Sequence, residues 1–221
     1  FLLVNPPDSS LIDVRALSRA ILLKRSPNSC SRTLSSDTHS GYISYVAVSA
    51  VPTRAKIIII GGGVGGTSVA YHLAELGEKD VILLDRNELT SGSTFHSAGL
   101  VGQLRADPTL TLMNMHSVDL YRKLQQTDTP PSWRECGSIK LASTPERMQE
   151  IRRQIGWAKT FGLDLKEISP KEAQDLFPLI DLEGVVGACY MASDGQVDPS
   201  QLAMALATTN QVTTRRRAGR S

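Results

Sequence analysis

Gly61-Gly62-Gly63-Val64-Gly65-Gly66 and an acid at Asp85 are residue types at a spacing that suits holding a dinucleotide. Gly61 makes a tight turn, Gly63 lets the backbone approach a pyrophosphate, and Gly66 lets a helix pack close to strands. Val64 and Gly65 lie between them, where the helix opens with unpaired N–H groups and a positive dipole end. Asp85 stands 19 residues after Gly66, where a carboxylate accepts hydrogen bonds from ribose hydroxyls. Arg86 beside it hints at a 2′-phosphate, which the acid at 85 disfavours. A glycine-rich turn alone also occurs where nothing binds, so the surrounding elements decide.

Lys56–Ile60 is a β-branched run suited to a strand buried on both faces. Thr67–Leu76 reads as a helix with Val69, Leu73 and Leu76 on one face and Gly77 as its stop. Val81–Leu84 reads as a second buried strand. Strand, glycine turn, helix, strand and acid together are the dinucleotide fingerprint in its required context. His72, inside that helix, reads as a packing or surface histidine.

Pro108–Leu124 is dense enough in apolar residues for a largely buried helix, and Met113, Met115 and Met148 read as core filler. Ser138–Ala142 and Val185–Met191 read as strands. Thr144-Pro145 starts a helix, Ser169-Pro170-Lys171-Glu172 is a capping box, and Asp198-Pro199 opens a further helix. Alternating strands and helices predict an α/β or α+β layered fold. Trp133, Trp157 and the pair Asp194/Asp198 invite a role at substrate, but two acids four residues apart fit turn and cap chemistry better.

The fingerprint does not separate NAD from FAD. The next segment is a long loop of small residues, Arg86 to Leu100, lying beside the cofactor site and able to support something large. Spacing alone leaves His96 as a ligand contact, a base or an ordinary loop residue.

The glycine turn, Asp85 and the loop Leu89-Thr90-Ser91-Gly92-Ser93-Thr94-Phe95-His96-Ser97-Ala98-Gly99-Leu100 resemble the flavoprotein amine dehydrogenases. Within these, the likeness is to the mitochondrial dimethylglycine and sarcosine dehydrogenases and their bacterial relatives. Their loop reads S-T-W-H-x-A-G-L, and its histidine carries FAD through the 8α-methyl carbon. Ser93, Thr94, His96, Ala98, Gly99 and Leu100 match, and Phe95 replaces the usual Trp. The likeness continues through Gly102–Arg105, Gly137–Ile139, Ser169–Glu172, Leu176–Pro178 and Asp194–Pro199, over about 56–207.

The resemblance implies a Rossmann-type FAD-binding domain, incomplete here, with the start of a sheet-based substrate domain. Residues 56–136 are then the FAD part, 137–193 the start of the substrate domain, and 194–207 the return. It implies FAD bound covalently through His96, with Gly61, Gly63, Val64, Gly65, Gly66, Asp85, Arg86 and Gly92 to Leu100, including Ser97, around the cofactor. A neutral imidazole is a suitable nucleophile for the acidic 8α position. The resemblance further implies a small N-methyl amino acid as substrate, an electron-transfer flavoprotein as acceptor, tetrahydrofolate in the full-length protein, and the mitochondrial matrix. The alternative it carries is a non-catalytic relative like the pyruvate dehydrogenase phosphatase regulatory subunit. The catalytic base is not among the residues singled out.

The chain has 221 residues, 24 Lys and Arg, 22 Asp and Glu, and a net charge of +2. That near-neutral balance argues against a dedicated nucleic-acid binder. No apolar stretch approaches the ~20 residues of a membrane-spanning helix. Cys30, Cys136 and Cys189 are widely spaced, which excludes a disulfide framework and a zinc site, and no metal is expected. Residues 1–55 carry a net +3 and eleven serines. With Leu11, Ile12, Val14, Leu17, Ile21 and Leu22 on a possible helical stripe, they read as a targeting leader or a disordered segment. Residues 208–221 read as a basic tail of doubtful origin. Family members continue for several hundred residues, so the chain reads as an N-terminal fragment, inactive by itself.

Overall fold

The computed structural model describes residues 2–4, 11–13, 54–209 and 214–216. Three short strands come first: β1 (Leu2–Val4), β2 (Ile12–Asp13) and β3 (Arg54–Ala55). Ile12 and Asp13 pair with Ala55 and Arg54 as an antiparallel bridge rather than starting a helix. Ile12 there packs beside the buried Ala55, Ile58 and Ile82, a better burial than a solvated helical stripe. Leu11 is exposed; the stripe from Val14 onward and most of the leader lie outside the described residues.

The β-branched run forms β4 (Ile57–Ile60), then helix α1 (Val64–Glu75) and β5 (Val81–Asp85). β4 and β5 are parallel, with Ile57 opposite Val81 and Ile60 opposite Leu84. Alternate residues feed two cores. Ile57, Ile59, Val81 and Leu83 pack with Ala70 of α1, while Ile58 and Ile82 pack on the other face. A strand buried on both faces explains the unbroken apolar run. α1 starts at Val64, three residues before the expected Thr67. Its first turn takes up the glycines, where the N–H groups lack intrahelical acceptors in any case. Gly77, at φ 87°, ends the helix as expected.

Beyond β5 come a short 3₁₀ turn (Ser93–His96), β6 (Leu100–Val101) and α2 (Pro108–Leu124). α2 has the expected span but not the expected burial. Thr111, Val118 and Leu124 are buried, whereas Leu110, Leu112 and Met113 are half exposed or more. Only one face of α2 meets described residues, packing Val118 and Leu124 against Tyr71, Leu202 and Leu206. Met113 is therefore not core filler, while Met148 is buried and Met115 packs against the cluster that holds it.

β7 (Ser138–Ala142), α3 (Pro145–Lys159), β8 (Leu165–Ile168), α4 (Pro170–Leu176) and β9 (Gly187–Met191) follow. The strands form an antiparallel sheet in the order β7-β9-β8, covered by Ile151 and Ala158 of α3. Thr144 caps α3, and Ser169 with Glu172 closes a capping box on α4. β9 starts at Gly187, because Val185 is held in a turn by Leu182 and Val186 is half exposed.

The chain returns through β10 (Gly195–Gln196), which pairs with β6, into α5 (Pro199–Thr209). α5 packs along α1 and against the Ser93–His96 turn. Finally β11 (Thr214–Arg216) pairs parallel with β5, giving a sheet ordered β1-β4-β5-β11. Part of the segment set apart as a basic tail thus takes a place in the sheet.

Candidate functional site

The site is assembled where β4 ends. Gly61 N donates to Leu84 O at 2.8 Å, continuing the parallel ladder into the turn. A Cβ on Gly66 would lie 1.8 Å from Gly61 O, so α1 reaches its place only with glycine there. Gly62 N donates to Asp85 Oδ2, and Asn87 N donates to Asp85 Oδ1 at 2.9 Å. The carboxylate therefore arrives oriented at the end of β5.

The loop after β5 folds back on this turn. Thr90 N donates to Gly62 O at 3.1 Å, and Val64 N donates to Thr94 Oγ1 at 3.0 Å. Thr90 takes a positive φ of 70° to turn the chain. Gly99, at φ 67°, closes the loop: its carbonyl accepts from Val197 N at 2.9 Å, and a Cβ on it would lie 2.1 Å from Val197 O.

A cleft of about 450 Å³ results. Of the expected residues, Gly61, Gly63, Val64, Gly65, Gly66, Asp85, Arg86, Gly92, Ser93 and Thr94 line it. Asn87, Thr90 and Ser91 line it as well and were not foreseen. Asn87 had a local signal, since an Asp two residues earlier commonly turns the backbone onto its own carboxylate. Phe95, His96, Ser97, Ala98, Gly99 and Leu100 lie outside the cleft lining. His96 ends the 3₁₀ turn, exposed, with Phe95 edge-on at 5.4 Å.

The arrangement suits a dinucleotide diphosphate. The N-cap of α1 is Gly63, with no side-chain cap, and its first turn holds no acid. The dipole end therefore faces the cleft with no acid of its own first turn against it. Asp85 is only part-buried and keeps lone pairs for hydroxyls.

Asp194 and Asp198 have different jobs. Asp198 Oδ1 accepts from Ser200 N and Gln201 N, the expected cap of α5. Asp194 goes beyond turn chemistry. It is 5% exposed, accepts from Gln103 N at 2.9 Å and from Ser138 Oγ at 2.6 Å, and receives Gly137 N at its carbonyl. It joins the outgoing, returning and post-loop segments, which no local pattern announces. His72 lies half-buried between Tyr71 and His116, as a packing histidine. Trp133 is buried in the core between α1, α2 and α5. Burial pushes the Cys189 thiol up. Among the described residues, no helix is long and apolar enough to cross a membrane.

The family described as FAD dependent oxidoreductase matches residues 56–214, seven residues beyond the stretch of the motif resemblance. Human mitochondrial dimethylglycine dehydrogenase is 42% identical over 158 residues, covering 70% of this chain and 18% of that protein. Mouse mitochondrial pyruvate dehydrogenase phosphatase regulatory subunit is 37% identical, covering 72% and 18%. Human mitochondrial sarcosine dehydrogenase is 35% identical, covering 71% and 17%. The chain thus spans under a fifth of the length of these curated relatives. Among solved structures, L-proline dehydrogenase from P. horikoshii matches with a TM-score of 0.67 and 28% identity, over 72% of this chain and 43% of that one.

Proposed function

The chain belongs to the FAD dependent oxidoreductase family, and from that premise we propose that it supplies the dinucleotide-binding part of an enzyme oxidising the N-methyl group of a small amino acid, of the sarcosine and dimethylglycine class. The observation that carries this reading is the cleft, in which an α1 N-terminus with no acid in its first turn, the glycine turn and Asp85 converge beside a loop matching the covalent-flavin pattern. FAD, when bound, supplies the two-electron acceptor for a carbon next to nitrogen. The N–H groups opening α1 hold the diphosphate, and Gly63 and Gly66 give it access to the backbone. Asp85 accepts from ribose hydroxyls. His96 is the attachment residue for the flavin, and its exposure on the rim of the loop leaves its imidazole accessible.

The relatives' names support a mitochondrial setting; a leader within residues 1–55 and the matrix as destination extend that reading. Electrons leave to an electron-transfer flavoprotein, and tetrahydrofolate belongs to the full-length protein.

The test uses the full-length protein. Acid denaturation should leave flavin on the polypeptide, and His96→Ala should release it. Release from the unaltered protein would sink the covalent reading. Turnover of N-methyl amino acids with an artificial electron acceptor separates the enzyme from the regulatory-subunit alternative, which predicts none. Retention of His96 favours the enzyme.

A further inference from the structure

Thr94 joins the two sequence motifs into one unit. It is 8% exposed and is the buried member of the Ser93–His96 turn. Its hydroxyl caps α1 from a position 30 residues away, accepting from Val64 N as a Ser or Thr at the N-cap itself commonly does. Gly63, which occupies the N-cap, has no side chain to do this. A Cβ on Gly63 would lie 2.8 Å from Thr94 Oγ1, and the only other atom within 4 Å is Thr94 Cβ. In this fold Gly63 is required by Thr94 as well as by any ligand. The Thr94 hydroxyl proton has no acceptor among the described residues, and the residue lines the cleft.

We propose that Thr94 is a positioning residue that couples dinucleotide occupancy of the cleft to the placement of the His96 loop. The inference rests on the FAD reading of the cleft. A hydroxyl that accepts from Val64 N keeps its proton for an anionic oxygen at the α1 N-terminus. Donating that proton polarises the oxygen and strengthens the bond it accepts. The bond holds the loop two residues before His96, while Gly99 is held by Val197 three residues after it. Filling the cleft therefore tightens one end of a span whose other end is held by Val197.

The experiment uses the full-length protein carrying His96→Ala, so that FAD binding is reversible. FAD affinity is read from flavin fluorescence, and amide hydrogen exchange over 93–99 is compared with and without FAD. Thr94→Val should weaken FAD binding about tenfold and remove the slowing of exchange that FAD causes, while Thr94→Ser keeps both within about twofold. Thr94→Val with parental protection on FAD binding would overturn the coupling and leave Thr94 as a helix cap alone. If the parent binds no FAD, the cleft reading falls and this proposal with it. If the parent binds FAD and Thr94→Val matches it, only the coupling falls.

Discussion

The glycine cleft and the Asp194 junction are built from the same parts to opposite ends. Each has a carboxylate that accepts backbone N–H groups, Asp85 from Gly62 and Asn87, Asp194 from Gln103. Each has glycines where a Cβ would strike a neighbour, Gly63 and Gly66 in the cleft, Gly137 and Gly195 at the junction. At the junction Ser138 takes the second oxygen and the carboxylate is 5% exposed, so its bonding capacity is spent inside the protein. In the cleft Asp85 is part-buried beside about 450 Å³ of open space and a helix end with no acid in its first turn. A closed polar cluster holds a fold together, and an open one holds valence for a ligand.

The hardest blow to this pairing is Gly66→Ala, whose Cβ meets the Gly61 carbonyl at 1.8 Å, backbone against backbone. It should cost about 3 kcal/mol, seen as a lower urea midpoint, and abolish FAD binding in what remains folded. Next, Asp194→Ala leaves the buried Gln103 N–H and the part-buried Ser138 hydroxyl without their partner, at about 2 kcal/mol of stability with little change in FAD affinity. Asp85→Ala should do the reverse, costing about 1 kcal/mol of stability but more than about tenfold in FAD affinity. Equal FAD losses at Asp85 and Asp194 would erase the distinction between the two regions.

A finer probe separates protein from ligand demands on glycine. In FAD-free protein, Gly63→Ala should lower the melting temperature, and adding Thr94→Ala should recover part of the loss, a coupling of about 1 kcal/mol. No loss in the FAD-free form would mean that only a ligand requires Gly63. The smallest effect lies on the exposed rim of the junction, where a hydrogen bond from Arg122 holds the Glu135 carboxyl below its ordinary 4.5. A lowered carboxylate contributes stability above that value and loses it as pH falls further. Glu135→Gln should therefore flatten the acid limb of a stability–pH curve below 4.5, slightly, because the pair is solvated.

What was legible in the sequence was written within a few residues. The β-branched run at Ile57–Ile60, the capping box at Ser169 and Glu172, and Gly77 as a helix stop act through adjacent groups. Asp85 was legible because strand length and helix length fix its distance from the turn. The exposed face of α2 was not, since apolar density does not say which side meets a neighbour. Nor was the Asp194 bridge or the tie from Thr94 to Val64, because both join segments that only the folded chain brings together. His96 was singled out by resemblance, and spacing left it three roles. The geometry adds that it is exposed between two anchored positions.

The hydrogen bond from Val197 to Gly99 and the packing of α5 on α1 link stretches that are synthesised far apart in time. The glycine turn, α1 and the His96 loop leave the ribosome while α5 has yet to be made. Until then Tyr71 of α1 lacks the partners Leu202 and Leu206 that help to bury it. Contacts of such long sequence separation form slowly, and the early segments wait with apolar surface uncovered. Capture of the dinucleotide is thus an event of late biogenesis, and chaperone dependence should be greatest in the interval before α5 emerges.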